Sequence, residues 1–272
     1  MKKAKKLSKA RLAKDMGVSR SSLYYKSKID IKDAIIREQI LSTLKEHPAY
    51  GHKRIAIHLG RNKKRILRVM KKYDIKPLKT RGRKPAKKDD LGNSASGYFN
   101  QIRNLCPIRL DIIWAADFTY VWFQERFYYL ATIIDVFSRE IIGVSISPYH
   151  NKELVLNAFK DALRRRGPPV YLHSDQGSEY NSQAYIELAE SLGCIISMAG
   201  KGKPWENGFQ ESFYSQFKLE LGSVSHFRNV GELVESIYCQ IHYYNHKRIH
   251  TKLKMPPAVY ARQHSISSDY LF

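Results

Sequence analysis

From residue 108 to residue 198 the chain alternates between runs of β-branched and aromatic side chains and runs with a helical repeat, and that alternation most constrains the fold. Residues 112–121, 127–135 and 140–147 are rich in Ile, Val, Tyr, Phe and Thr, and the FQE and FSR segments between them are of hairpin length. An antiparallel meander is expected there. Residues 151–166 then place Leu154, Val155, Ala158, Phe159, Ala162 and Leu163 on one side of a helix, closed by Gly167, Pro168 and Pro169. Residues 170–174 read as a fourth strand, 182–192 as a helix and 194–198 as a fifth strand. Strands joined through helices need parallel crossovers. The expected class is α/β (α+β), a mixed five-stranded sheet with flanking helices.

Three acidic residues fall where such a scaffold could gather them. Asp117 lies inside the strand-like run WAADFTY, where Asp is disfavoured. Asp175 ends the fourth run in a Ser-Asp-Gln-Gly turn, and thirty-five residues lie between it and Glu211, in a helical segment over 207–221. Phe209, Phe213, Phe217 and Leu221 repeat every four residues in that segment. With Phe209 at zero and about 100° per residue, Glu211 falls at about 200°, with Asn207, Ser215 and Lys218 beside it. Glu206 and Glu220 fall at about 60° and 20°, on the apolar side. Taken alone, Glu211 reads as a solvated glutamate; the combination points to a site. Clustered carboxylates repel unless a divalent cation neutralises them, and oxygen-only ligation selects Mg²⁺ or Mn²⁺. Two ions about 4 Å apart activate an attacking oxygen and stabilise a leaving oxygen at phosphorus. Asp117, Asp175 and Glu211 are thus the candidate catalytic residues and metal ligands, with Asp135 and Glu179 read as turn residues.

Charge is distributed unevenly around that core. The chain has 47 Lys and Arg against 25 Asp and Glu, a formal net charge of +22; residues 1–93 hold 29 basic and 8 acidic residues, net +21. A basic arm on a nearly neutral globule implies a polyanion partner. Residues 1–29 have helix-turn-helix spacing: Ala13 where two helices touch, Gly17 in the turn, and Ser19 as N-cap of a second helix. That helix would present Arg20, Ser21, Ser22, Tyr24 and Lys26 to a DNA groove. Residues 30–76 form a second helical unit. There Ile36, Ile40, Leu41 and Leu44 mark one helix, stopped at His47 and Pro48, and Asn62 caps another. On the latter, Ile66, Val69, Met70 and Tyr73 form the apolar stripe, while Lys63, Lys64, Arg65, Arg68 and Lys71 are expected on phosphates.

Residues 77–100 are a linker whose Arg81 and Arg83 can lie along DNA. The catalytic core is assigned to 101–222, and a C-terminal helix with a basic tail to 223–272. The arm, residues 1–75, is expected to be removable without unfolding the globule. Cys106, Cys194 and Cys239 form neither a disulfide framework nor a zinc motif. No run approaches the roughly 20 apolar residues that span a bilayer, so the expected setting is reducing and cytoplasmic, with no membrane partner. His242, His246 and His250 are four apart, but the helix bearing them is expected to end near Asn245, which breaks the stripe.

WAADFTY, the ID-FSR segment, LHSDQGSEY, SMAGKGKPWENGFQESF with its following Lys218, and YNHKRIH resemble the orfB-type DDE transposases of bacterial insertion sequences, family three. The resemblance covers residues 35–262 and implies the retroviral-integrase catalytic core, of ribonuclease-H-like fold. It further implies Mg²⁺-dependent cleavage and strand transfer at terminal inverted repeats, by copy-out, paste-in transposition through a figure-eight. Double-stranded terminal-repeat and target DNA are the implied partners, with at least a dimer in the synaptic complex and an upstream-frame product as a further candidate. Lys201, Lys203, Asn207, Lys218, Arg248 and His250 are expected DNA contacts. A transcriptional regulator whose globule only dimerises, and a simple ribonuclease-H-type nuclease, remain the alternative classes.

Overall fold

The computed structural model describes residues 8–24, 29–78, 97–200 and 202–265. Strands β1 (Ile113–Phe123), β2 (Arg126–Asp135) and β3 (Ile141–Ser147) form the expected antiparallel meander. Gln124 and Glu125 both take positive φ, 45° and 62°, as a two-residue hairpin loop requires. Helix α5 (Lys152–Arg165) then crosses to β4 (Tyr171–Ser174), and α6 (Gln183–Ser191) crosses to β5 (Ile195–Met198), so both later strands join in parallel. The sheet order is β3-β2-β1-β4-β5. Asn151 caps α5 by accepting the Leu154 amide at 3.2 Å. Gly143 on β3 lets α5 sit close, because a Cβ there would overlap the Ala158 carbonyl.

Two apolar layers sandwich the sheet. On one face Trp114, Ala116, Ile133 and Leu172 pack against Phe159 of α5 and Tyr185 of α6. On the other, Ile113, Ala115, Leu130 and Val144 meet α7 (Gly208–Leu221) and α8 (Val230–His246), through Phe213, Phe217, Leu233 and Ile237. Helix α9 (Pro257–Ser265) lies against α8. Among the described residues no helix is long and apolar enough to cross a membrane. Cys106, Cys194 and Cys239 are free thiols.

The first basic segment departs from expectation. Helix α1 (Lys9–Asp15) is followed by Gly17 at φ 63°, but the next element is a 3₁₀ turn, Arg20–Tyr24, rather than a described α-helix. Ser19 does accept the Ser22 amide, at 3.3 Å, yet its hydroxyl also bonds those of Ser21 and Ser22, each at 2.8 Å. Such local bonds compete with helix propagation. Arg20, Ser21, Ser22 and Tyr24 are exposed, while Lys26, Arg81, Arg83 and Lys201 lie outside the described residues.

The second unit is α2 (Ile29–Glu46), α3 (His52–His58) and α4 (Lys63–Lys72), with Ile36, Ile40, Ile55, Ile66 and Val69 in its core. Asn62 caps α4, accepting the Lys64 amide at 2.8 Å. Ile249, from beyond α8, belongs to the same apolar cluster. Three polar contacts reinforce that junction. His47 Nδ1 is 2.7 Å from the Tyr243 hydroxyl, the Ile249 amide donates to Tyr50 Oη at 2.7 Å, and Arg54 Nε donates to the Ile249 carbonyl at 3.1 Å. Deleting residues 1–75 should therefore leave the sheet folded but bare Ile249 to water. The thermal midpoint is expected to fall by several degrees, at about 2–4 °C per kcal/mol for a chain of this size; an unchanged midpoint would show that the junction contributes nothing.

Candidate active site

The register of the two parallel strands brings the first two carboxylates together. Ala115 of β1 pairs with His173 of β4. Asp117 and Asp175 each lie two residues beyond that pair, Asp117 within β1 and Asp175 just past the carboxyl end of β4, on neighbouring strands that run about 4.8 Å apart. Asp117 is half-buried and its Oδ1 accepts the Phe118 amide at 2.8 Å. Burial, then the charge of Asp175 and that of Glu211, push its carboxyl up to about 7. Asp175 begins the turn after β4, accepts the Gly177 amide at 3.0 Å, and is also raised, by desolvation and by Glu179.

Helix α7 supplies the third acid, and polar side chains decide where it sits. Asn207 Nδ2 donates to the Ala116 carbonyl at 3.2 Å. Gln210, fully buried, donates from Nε2 to the carbonyls of Ala115 at 2.6 Å and Thr132 at 3.0 Å, and accepts from Thr132 Oγ1 at 3.0 Å. Tyr214 Oη donates to the Asp117 carbonyl at 2.7 Å. This stripe stitches α7 to the stretch of β1 that ends in Asp117. Glu211, adjacent to Gln210, is left exposed in the first helical turn. The other nearby acids are engaged elsewhere. Glu206 accepts from Asn100 and from the Gly200 amide, and Glu220 from Arg248 and Gln240.

Among the described residues no three His, Cys, Asp or Glu side chains stand close enough together to grip a metal ion. The donor set nevertheless fits one. It is oxygen-only, and the charges of Asp175 and Glu211 add to burial in raising the proton affinity of Asp117, a repulsion that a divalent cation relieves. Asp135 instead closes the β2–β3 turn, accepting from the Ser138 amide and hydroxyl at 2.6 Å each, and Glu179 bonds His150 at 3.0 Å.

Several expected DNA contacts are otherwise employed. Arg68 holds the buried Asp33 of α2 through two bonds of 2.7 and 2.5 Å, and Lys72 bridges Asp33 and Asp30. The Arg68 hydrogen bond, first among the causes, keeps the Asp33 carboxyl below its ordinary range. Arg68 thus ties α4 to α2. Asn207 is buried against β1 and offers no surface to a strand. Arg248 is buried too, with Nε 2.7 Å from Glu220 and Nη2 2.7 Å from Gln216. A cation so enclosed needs a carboxylate partner. His250 is partly buried, and desolvation with neighbouring cations lowers its pKa to about 4. Lys63, Lys64, Lys71, Lys203 and Lys218 are exposed and Arg65 half-exposed. Lys53, Arg61 and Lys254, which the sequence did not single out, line one groove with Lys63 and Lys64.

A mixed sheet in the order β3-β2-β1-β4-β5, with acids in the middle of β1, just past the end of β4 and on the helix packed against β1, defines a ribonuclease-H-like polynucleotidyl transferase core. Residues 109–204 match the integrase core domain family, and residues 192–257 match a second family of the same description. The transposase for insertion sequence element IS904 from Lactococcus lactis is 34% identical over 238 residues, covering 84% of this chain and 93% of the relative. The InsK protein for insertion sequence element IS150 of Escherichia coli is 30% identical over 260 residues, 90% of each chain. The fold matches that in the simian T-cell lymphotropic virus intasome in complex with PP2A regulatory subunit B56 gamma, with TM-score 0.50, 17% identity, and coverage of 80% of this chain and 73% of that one. The chain belongs to the DDE transposases of bacterial insertion sequences, family three, within the integrase superfamily.

Proposed function

We propose that Asp117, Asp175 and Glu211 are the catalytic carboxylates of this transposase and hold two Mg²⁺ or Mn²⁺ ions. The supporting observation is the register: both aspartates lie two residues past one β1–β4 pair, and Gln210, the residue beside Glu211, is hydrogen-bonded to Ala115 of that same pair. Bound there, the ions supply a deprotonated attacking oxygen and neutralise the oxygen that leaves. The chain's own part is to set the three carboxylates and to hold DNA in line. In the first step water attacks a phosphodiester at a terminal inverted repeat, breaking the bond to the 3′ oxygen and freeing a 3′-hydroxyl. In the second, that hydroxyl attacks another phosphodiester, one P–O bond forming as one breaks. The order of joining is copy-out, paste-in, through a branched figure-eight. Synapsis of two ends needs at least a dimer. The helical segments 1–29 and 30–76 hold the ends, and the core within 101–222 carries the chemistry. Strand transfer of a terminal-repeat duplex by the purified chain with Mg²⁺ is the test; full activity in a chelator would sink the mechanism.

Lys218 stands on the Glu211 side of α7, its Nζ 4.7 Å from the Tyr120 ring centroid, and desolvation lowers its pKa. It is placed for a phosphate next to the scissile one. Lys218→Ala should slow strand transfer about tenfold or more, the worth of a charge-assisted hydrogen bond of about 1.5–3 kcal/mol, with the metal requirement unchanged. Arg should restore only part, being a planar fork rather than a compact charge. Equal rates for wild type and Lys218→Ala across a salt series would return this residue to the solvated surface.

A further inference from the structure

The flank of α7 that carries Gly208, Ser212 and Gln216, rather than Glu211, borders a cavity of about 290 Å³ between the sheet, α8 and the second helical unit. Three guanidinium groups line it, from Arg54, Arg139 and Arg248. Glu220 neutralises Arg248. Among the described residues neither Arg54 nor Arg139 stands in an ion pair: Arg54 Nε donates only to the Ile249 carbonyl, and Arg139 lies over the Phe209 ring, 4.2 Å from its centroid. Asp135, whose charge Arg139 feels, gives its oxygens to Ser138 and to the Asp111 amide. Arg139 Nη1 is buried with no hydrogen-bond partner among the described residues, and so is His250 Nδ1 on the same wall. Arg139 also holds φ at 65°, a conformation costly for a residue with a side chain. At the mouth stands Trp205, 69% exposed.

A buried donor without an acceptor costs the full desolvation of that group, and arginine stays charged regardless of burial. The wall is therefore complete only with an anion against it. Its volume sits at the low end of ligand pockets, about 300 Å³, which suits one nucleotide and no more. An aromatic ring beside guanidinium groups is the usual means of holding a single-stranded nucleotide, whose base is free to stack. A paired base, already stacked in its duplex, cannot reach Trp205.

We infer that this cavity is a nucleotide subsite, in which Arg139 and Arg54 take one phosphodiester of a DNA strand and Trp205 stacks the unpaired base next to it. The inference rests on the DNA-acting reading above. It gives the cavity a purpose that the carboxylate site does not share: a strand seated there touches the helical unit through Arg54, the β2–β3 turn through Arg139, and the first turn of α7 through Gly208 and Ser212. That contact fixes the helix bearing Glu211 against an unpaired end.

The test uses the full chain in a chelator, with a duplex of arbitrary sequence that is either blunt or ends in a few unpaired nucleotides. Stacking worth about 1–3 kcal/mol per base predicts that wild type binds the overhang about tenfold more tightly than the blunt end. Arg139→Gln and Trp205→Ala should each remove that advantage while leaving blunt-end affinity unchanged. Arg139→Lys and Trp205→Phe, which keep charge and ring, should restore part of it, and thermal unfolding confirms that all four variants fold. Inorganic phosphate alone should raise the melting midpoint of wild type but not of Arg139→Gln, and should leave the overhang advantage dependent on Trp205. An overhang advantage that persists in folded Arg139→Gln and Trp205→Ala, or is absent from wild type, overturns the inference. So does a cavity that responds to phosphate alone and never to the overhang. If wild type still cleaves and joins DNA in those cases, the transposition reading stands and only the subsite falls.

Discussion

Asp117→Asn is expected to abolish strand cleavage and transfer and, in the same protein without metal, to raise its stability. Loss of an anionic metal ligand should lower the rate about a thousandfold or more, some 4 kcal/mol of transition-state stabilisation, and Asp175→Asn and Glu211→Gln should do the same. Binding to terminal-repeat DNA should survive all three. The stability gain follows from burial and from the neighbouring Asp175 and Glu211, which raise the folded carboxyl from 3.8 to about 7. The folded state then holds its proton where the unfolded chain has lost it, so wild-type stability falls as pH rises from about 4 to about 7. Asparagine carries no such proton. The melting midpoints of wild type and Asp117→Asn should thus nearly coincide near pH 4 and separate progressively up to about pH 8. The gap should stay below about 4 kcal/mol, because each pH unit between the unfolded and folded values is worth about 1.36 kcal/mol. A variant that keeps its strand-transfer rate would remove Asp117 from the site. A gap that shrinks with rising pH would contradict its like-charged surroundings.

What the sequence made legible is what local rules govern. Hairpin-length turns and helical crossovers yielded the meander and the parallel strands to within a residue or two. The caps at Asn62 and Asn151 were visible because a short polar side chain preceded an apolar periodic run. Asp117 was conspicuous as an acid inside a strand. The contacts that escaped join distant parts of the chain. Arg68 looked like one more cation on a single-signed helix, because Asp33, its partner, belongs to another helix. Arg248 matched a basic tail motif, whereas Glu220 takes it into the interior. The phenylalanine stripe of α7 placed the core face too far to one side: the buried arc is Gln210, Phe213, Tyr214 and Phe217, with Phe209 and Leu221 only at its margin. A polar residue reads as surface until the strand carbonyls it must satisfy are known. Asn207, Gln210 and Tyr214, spaced at three and four residues, were the available signal, a polar stripe alongside an aromatic one.

That stripe makes Gln210 a positioning residue, and Gln210→Met should separate its two effects. Methionine matches its shape but donates nothing to the Ala115 and Thr132 carbonyls and no longer accepts from the Thr132 hydroxyl. Unmade buried hydrogen bonds cost about 1–3 kcal/mol each; Thr132 keeps the Tyr214 hydroxyl as a partner at 2.8 Å, so the loss should come to about 2–4 kcal/mol rather than the full sum. The midpoint should drop by roughly 5–15 °C at about 2–4 °C per kcal/mol. Well below that midpoint, where the variant is folded, strand transfer should still run about tenfold to a hundredfold slower. The reason is that α7 no longer registers against β1, and displacement of a catalytic group by about 1 Å costs about that much. The loss should fall on kcat rather than on KM for DNA, since Gln210 faces the sheet and never the strand. Asn207→Ala, which removes a single bond to Ala116, should show the same split at smaller amplitude. If Gln210→Met melts early yet turns over at the wild-type rate in the cold, the stripe holds the helix on the sheet without aiming Glu211.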